Sequence, residues 1–161
     1  MVFPAAGLAP VPHTDMPDDA KQLYNEAREV LGISRRAGTA LARASLERLL
    51  KTIDPQPGNP DLATRIVRVA PRLPEPLGRI LTIIRVAGNQ SLHVPDQPEE
   101  LLVLVLDPDE TEVVDLMFEA INELVEQLIS RPARVASHFE KVPEAVRAKY
   151  EAELRKQEAG E

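Results

Sequence analysis

The stretch Arg85-Val86-Ala87-Gly88-Asn89-Gln90-Ser91-Leu92-His93 carries three polar side chains, Arg85, Asn89 and His93, at steps of four residues. On a helix each such step drifts by about 40°, so the three form one strip roughly 12 Å long. Those residue types suit phosphodiester chemistry. An arginine holds a phosphate and stabilises developing charge. A histidine serves as general base or acid on a ribose hydroxyl or a leaving oxygen. Gly88 lies beside the strip and leaves room for a ligand or another backbone. The same residues have a structural reading: Gly88-Asn89 caps a helix, Arg85 pairs with a neighbouring acid, and His93 sits in a loop.

A second pair is Arg43 and Glu47, spaced i, i+4. It reads either as a helix-stabilising ion pair or as a device in which Glu47 orients Arg85 from a facing helix. Other chemistries find little support. The chain has no Cys, and its histidines, His13, His93 and His138, are far apart, so no metal site and no cofactor are expected. There is no Gly-rich phosphate loop after a strand and no serine nucleophile elbow. Glu112, Glu119, Glu123 and Glu126 fall off the apolar stripe of their helix and read as a solvated face.

The elements that position these residues are helical. Residues 1–14 hold four Pro or Gly without periodicity and read as a flexible N-terminal tail. Asp15-Met16-Pro17 opens a first helix ending at Gly32. Ser34 caps a second, whose stripe includes Leu46, Leu49, Leu50 and Ile53. The proline-rich run Asp54 to Pro60 ends it. A short helix follows to about Ala70, and a fourth carries Leu77, Ile80, Leu81 and Ile84. It either runs on through Gly88 or is capped there. Pro95 and Pro98 mark a loop. Leu101 to Leu106 is apolar without a clear period, so helix, short strand and interface segment remain open. Asp107-Pro108-Asp109-Glu110 signals the start of a helix over about 108–130. Pro132 and Pro143 bracket a looser connection before an exposed final helix. The expected fold is all-α, a four- to five-helix bundle over 15–130 with a C-terminal helical extension over 131–161.

The chain has 161 residues, 43% of them apolar and 28% charged, which is one domain's worth of globular sequence. No apolar run is long enough to cross a membrane, and zero Cys fits a reducing, cytoplasmic setting. The net charge of −7 argues against a general polyanion binder, but it is unevenly spread. Arg28 to Arg85 holds eleven Lys or Arg against five Asp or Glu. Val86 to Ser130 holds eleven acidic residues and no basic one. The halves either neutralise each other or leave a basic face for phosphates. With aromatics at 3% and no Trp, base stacking is not the mode of binding.

The order Tyr24-x-Glu26-Ala27, then Arg43-x-x-Leu46-Glu47-x-Leu49-Leu50, then Ile84-Arg85-x-x-Gly88-Asn89-x-x-x-His93 resembles a bacterial domain of unknown function, family 4145, placed in the HEPN superfamily of helical bundles. The resemblance spans about residues 15–130. It implies a homodimer in a phage-defence or mobile-element setting, with RNA, a nucleotide or a protein as partner. Many HEPN proteins are metal-independent ribonucleases with an Arg and a His separated by four to six residues. By that match Arg85 and His93 would be the catalytic pair, with Asn89 as a polar helper and Gly88, Arg43 and Glu47 around them. Here seven residues separate Arg85 from His93, and Val86 follows the arginine. The resemblance therefore implies first a dimeric helical binding or regulatory module, and alternatively a ribonuclease.

Overall fold

The computed structural model describes residues 9–93 and 96–160; residues 1–8, Val94, Pro95 and Glu161 lie outside it. The described residues form eight α-helices and no strand. They are α1 (Asp18–Leu31), α2 (Arg35–Ile53), α3 (Leu62–Val69), α4 (Glu75–Leu92), α5 (Glu100–Leu106), α6 (Glu112–Val125), α7 (Arg131–Phe139) and α8 (Glu144–Ala159). The all-α expectation holds.

Helix α2 is the central element. It packs on α1 over its length, on α4 from the other side, and touches α3, α5 and α6. Its apolar stripe Leu46, Leu49 and Leu50 is fully buried. Small residues let its neighbours come close. A Cβ on Gly38 would lie 2.8 Å from Leu31 Cδ1 and 3.1 Å from the Ala27 carbonyl of α1. Ser45 donates to the Ala20 carbonyl of α1 at 2.8 Å, so a buried hydroxyl is satisfied across the same contact. The ring pair Tyr24 and Phe118, 5.2 Å apart and edge-on, joins α1 to α6. Burial pushes the Tyr24 phenol above its ordinary pKa. Its hydroxyl donates to the Pro10 carbonyl at 2.9 Å and accepts from Asn122 at 3.2 Å.

That contact bears on the N-terminal segment. Its described part, Ala9–Thr14, is tied down rather than loose. Ala9 is buried, Arg28 donates to the Ala9 carbonyl, and the His13 amide donates to Asn122 Oδ1 at 2.7 Å. Residues 1–8 of the expected tail lie outside the described residues. Asp15, expected to open α1, instead accepts from Ser130 at 2.6 Å, and α1 starts at Asp18.

Two further expectations are corrected. Helix α6 begins at Glu112, not 108. Asp107 closes a turn by accepting the Asp109 amide, and Arg35 holds the Glu110 carbonyl, so the Asp-Pro pair serves the link and not the helix start. Pro132 does not end the helix. Glu126–Ser130 forms a π turn that leads directly into α7 with Pro132 in its first turn. The wider turn accommodates the ring that an α-helical turn would exclude. The run Glu112–Phe139 is thus continuously helical across residue 130. Leu101 to Leu106, left open by the sequence, is the short helix α5, with Leu102 and Val105 buried.

The proline-rich link after α2 depends on a buried arginine. Arg65, 3% exposed, donates to the Asp54 carbonyl at 2.6 Å and to the Pro60 carbonyl at 3.1 Å. Prolines lack the amides that would otherwise meet such carbonyls, so the guanidinium takes their place. Arg65→Met should lower unfolding stability by about 2–4 kcal/mol, measured by urea denaturation, because these acceptors lose their donor. A change within about 0.5 kcal/mol would show that water replaces the guanidinium without loss.

Candidate functional site

Helix α4 does not stop at Gly88. It runs to Leu92, and His93 takes up an extended conformation as its C-cap. Arg85 and Asn89 therefore stand one turn apart on the helix, about 6 Å along its axis. His93 follows a further turn on, where the chain leaves the helix. Arg85 is half-buried, and Asn89 and His93 are exposed. Among the described residues no hydrogen bond or ion pair joins these three side chains. The helical strip expected from the spacing exists for Arg85 and Asn89. No contact brings His93 onto Arg85.

The room expected beside Gly88 is filled from α2. The side chain of Arg43 lies across Gly88, and a Cβ there would sit 2.7 Å from Arg43 Cδ. Gly88 is thus a point of helix contact and not a vacant ligand space. Glu47 does not reach Arg85. It pairs with Arg43 at 3.4 Å and with Lys51 at 3.2 Å, both along its own helix. Arg43 and Glu47 are brought to the α2–α4 contact, but as a ladder on α2. The Arg43 Nε is buried and has no hydrogen-bond partner.

Arg85 pairs with no carboxylate among the described residues. Its charge is felt at Asp61, the cap of α3. Hydrogen bonds from the Thr64 side chain and amide hold the Asp61 carboxyl below the ordinary value, and Arg85 adds to this. Three other arginines of the basic segment serve the fold. Arg35 donates to the Val105 and Glu110 carbonyls, and Arg36 to the Ser91 carbonyl at the end of α4. Arg65 holds the proline-rich link. Sequence counting does not separate such carbonyl-bound arginines from surface ones, because both look like unpaired basic residues. Arg48, Arg72 and Arg79 are exposed on α2, the turn after α3, and α4.

A concavity of about 310 Å³ lies elsewhere, between the N-terminal segment and α6. Glu119, Glu123 and Glu126 line it with His13, so its charge is acidic. Among the described residues no three His, Asp or Glu converge as metal ligands. Glu126 is the hub there. It accepts from Arg134, lies 3.2 Å from His13 Nε2, and is 3.7 Å from Arg131. The Arg134 hydrogen bond above all, with smaller help from His13 and the basic charges, holds its carboxyl below the ordinary range.

The fold is an all-helical domain in which Arg85 of α4 stands half-buried and without a carboxylate partner among the described residues. The sequence matches the model of a family described as a domain of unknown function, DUF4145, over residues 25–149. The chain belongs to that family. Comparison with curated proteins and with solved structures gives no match. No helix among the described residues is long and apolar enough to cross a membrane.

Gly88→Ala should destabilise the fold by about 1–3 kcal/mol, because the added methyl overlaps the stem of Arg43. Asn89→Ala should change stability by less than about 0.5 kcal/mol, because Asn89 is exposed and makes no cap. Thermal unfolding of the two variants checks this, and equal losses would contradict the geometry. Glu126 titrates below its unfolded value, so its support for α7 is complete above the ordinary Glu pKa and is lost as pH falls through the depressed one. Protease cleavage within α7 should rise with acidification in the wild type. Glu126→Gln should be more readily cleaved at neutral pH and lose that pH dependence.

Proposed function

We propose that the protein is a small dimeric helical binding module that takes nucleic-acid phosphate on the α2–α4 face. The observation that carries this reading is Arg85, half-buried, one turn from exposed Asn89 and without a carboxylate partner among the described residues. A guanidinium in that setting offers its donor fork to a phosphate. Asn89 lies within one turn to add a donor. Arg43, drawn across Gly88 and paired with Glu47, stands on the same helix pair. The family resemblance supports a homodimer in a cytoplasmic, phage-defence or mobile-element setting.

A second reading, a metal-independent HEPN-type ribonuclease with Arg85 and His93 as its pair, has one observation in its favour. His93 is exposed at the end of the helix that bears Arg85. The seven intervening residues put it about two turns away, so within one chain the two would grip successive atoms along a strand and not one phosphate.

Single-stranded RNA binding should weaken steeply with salt. Arg85→Gln should lower affinity about tenfold and reduce the slope of log affinity against log salt by about 0.7, the loss of one phosphate contact. Binding indifferent to salt would end the phosphate reading. Incubation of RNA in EDTA with wild type and His93→Ala separates the two readings. Cleavage lost in the variant would establish the ribonuclease, whereas intact RNA bound equally by both proteins supports the binding module.

A further inference from the structure

Helices α7 and α8 stand apart from the body. Neither holds a buried residue, whereas every other α-helix does. Helix α8 meets the preceding chain through the edge-on ring pair Phe139 and Tyr150, 5.7 Å apart, and through Arg147, which donates to the Val142 carbonyl. Yet α8 carries three large apolar side chains in one row. Val146, Tyr150 and Leu154 recur every four residues and are 55%, 52% and 42% exposed. A groove of about 460 Å³ on α7 is lined by Val135, Phe139 and Val142 together with Arg131, Arg134 and His138. A 16-residue helix with three large apolar side chains in water is marginal alone.

We infer that α8 pairs antiparallel with α8 of a second copy of this chain, around a two-fold axis at Tyr150. The charges beside the strip select that occupant and that direction. One flank of the strip carries Arg147, three residues before Tyr150, and Glu151, one after it. The other flank carries Lys149, one before, and Glu153, three after. In an antiparallel pair each flank meets the same flank of its mate, run in reverse. Arg147 then faces Glu151, and Lys149 faces Glu153, within about 3 Å along the axis at 1.5 Å per residue. Both flanks meet opposite charge. A parallel pair sets each flank against the other one, so Arg147 meets Lys149 and Glu151 meets Glu153, like against like. For the four charges beside Tyr150 the pairing is therefore complementary in the antiparallel orientation and repulsive in the parallel one. Across the antiparallel pair Tyr150 meets Tyr150, and Val146 meets Leu154.

This inference rests on the homodimer in the reading above and gives it a face, one that lies away from Arg85. The test is sedimentation equilibrium of the full chain at micromolar concentration. Wild type should have twice the chain mass, and Val146→Glu/Leu154→Glu the mass of one chain with unchanged helical circular dichroism. Lys149→Glu, which sets Glu against Glu153, should weaken the dimer about tenfold. Adding Glu153→Lys should restore it, since the pair is then reversed and not broken. A dimer that survives both glutamate substitutions on the strip overturns this face while leaving the homodimer intact. A wild-type monomer overturns both. Charge reversal without rescue by Glu153→Lys overturns the antiparallel register. Salt-dependent RNA binding, measured on the same variants, reports on the phosphate face independently.

Discussion

The architecture turns on how closely other helices approach α2. On one side Gly38 lets α1 in until Leu31 and the Ala27 carbonyl nearly touch the α2 backbone. On the other, Gly88 of α4 lets the stem of Arg43 lie flat against its helix. These are two contacts where even a methyl group meets atoms at less than ordinary van der Waals distance. Interiors are dense enough that widening such a contact moves whole helices and not single side chains. The Ser45 hydrogen bond to Ala20 then fixes rotation at the α1–α2 contact, and the Tyr24–Phe118 pair ties α1 to α6. The candidate site is a by-product of this geometry, since Arg43 is where it is because α4 offers no Cβ opposite.

Much of this was legible in the sequence. The stripe on α2 and the Ser34 cap follow from helical spacing and from a hydroxyl that accepts the Ala37 amide. The strip of Arg85 and Asn89 is equally a matter of spacing. The helix start at Asp107-Pro108 was misleading for a physical reason. An Asp side chain closes a turn as readily as it caps a helix, and which it does depends on Arg35, more than seventy residues earlier in the chain, holding the Glu110 carbonyl. The position of Pro132 misled likewise, because a proline breaks an α-turn but not the wider turn that precedes it here. Pairing of Glu47 along its own helix, and the occupation of the space beside Gly88, depend on side-chain direction across a helix contact. One-dimensional spacing carries no record of that.

Charge was the feature most altered by three dimensions. A count between Arg28 and Arg85 gives a basic segment, but Arg35, Arg36 and Arg65 are turned onto backbone carbonyls of loops and helix ends. Their work is to satisfy acceptors that prolines and helix termini leave without amides. What remains for solution is a smaller set on α2, the turn after α3, and α4. The acidic half is divided in the same way. Glu126 is committed to Arg134 and His13, and its neighbours Glu119 and Glu123 line the concavity beneath the N-terminal segment.

The π turn at Glu126–Ser130 does more than admit a proline. It inserts extra backbone into a helical run that is otherwise continuous from Glu112 to Phe139. Each residue of an α-helix turns the chain by about 100°, so one residue fewer there would swing α7 a quarter-turn or more about its axis. His13 and Asp15 grip this same turn, through Glu126 and Ser130. The first described residues of the chain thus act as a clamp on a rotary joint, and the compass bearing of the C-terminal helices is set at their opposite end in sequence.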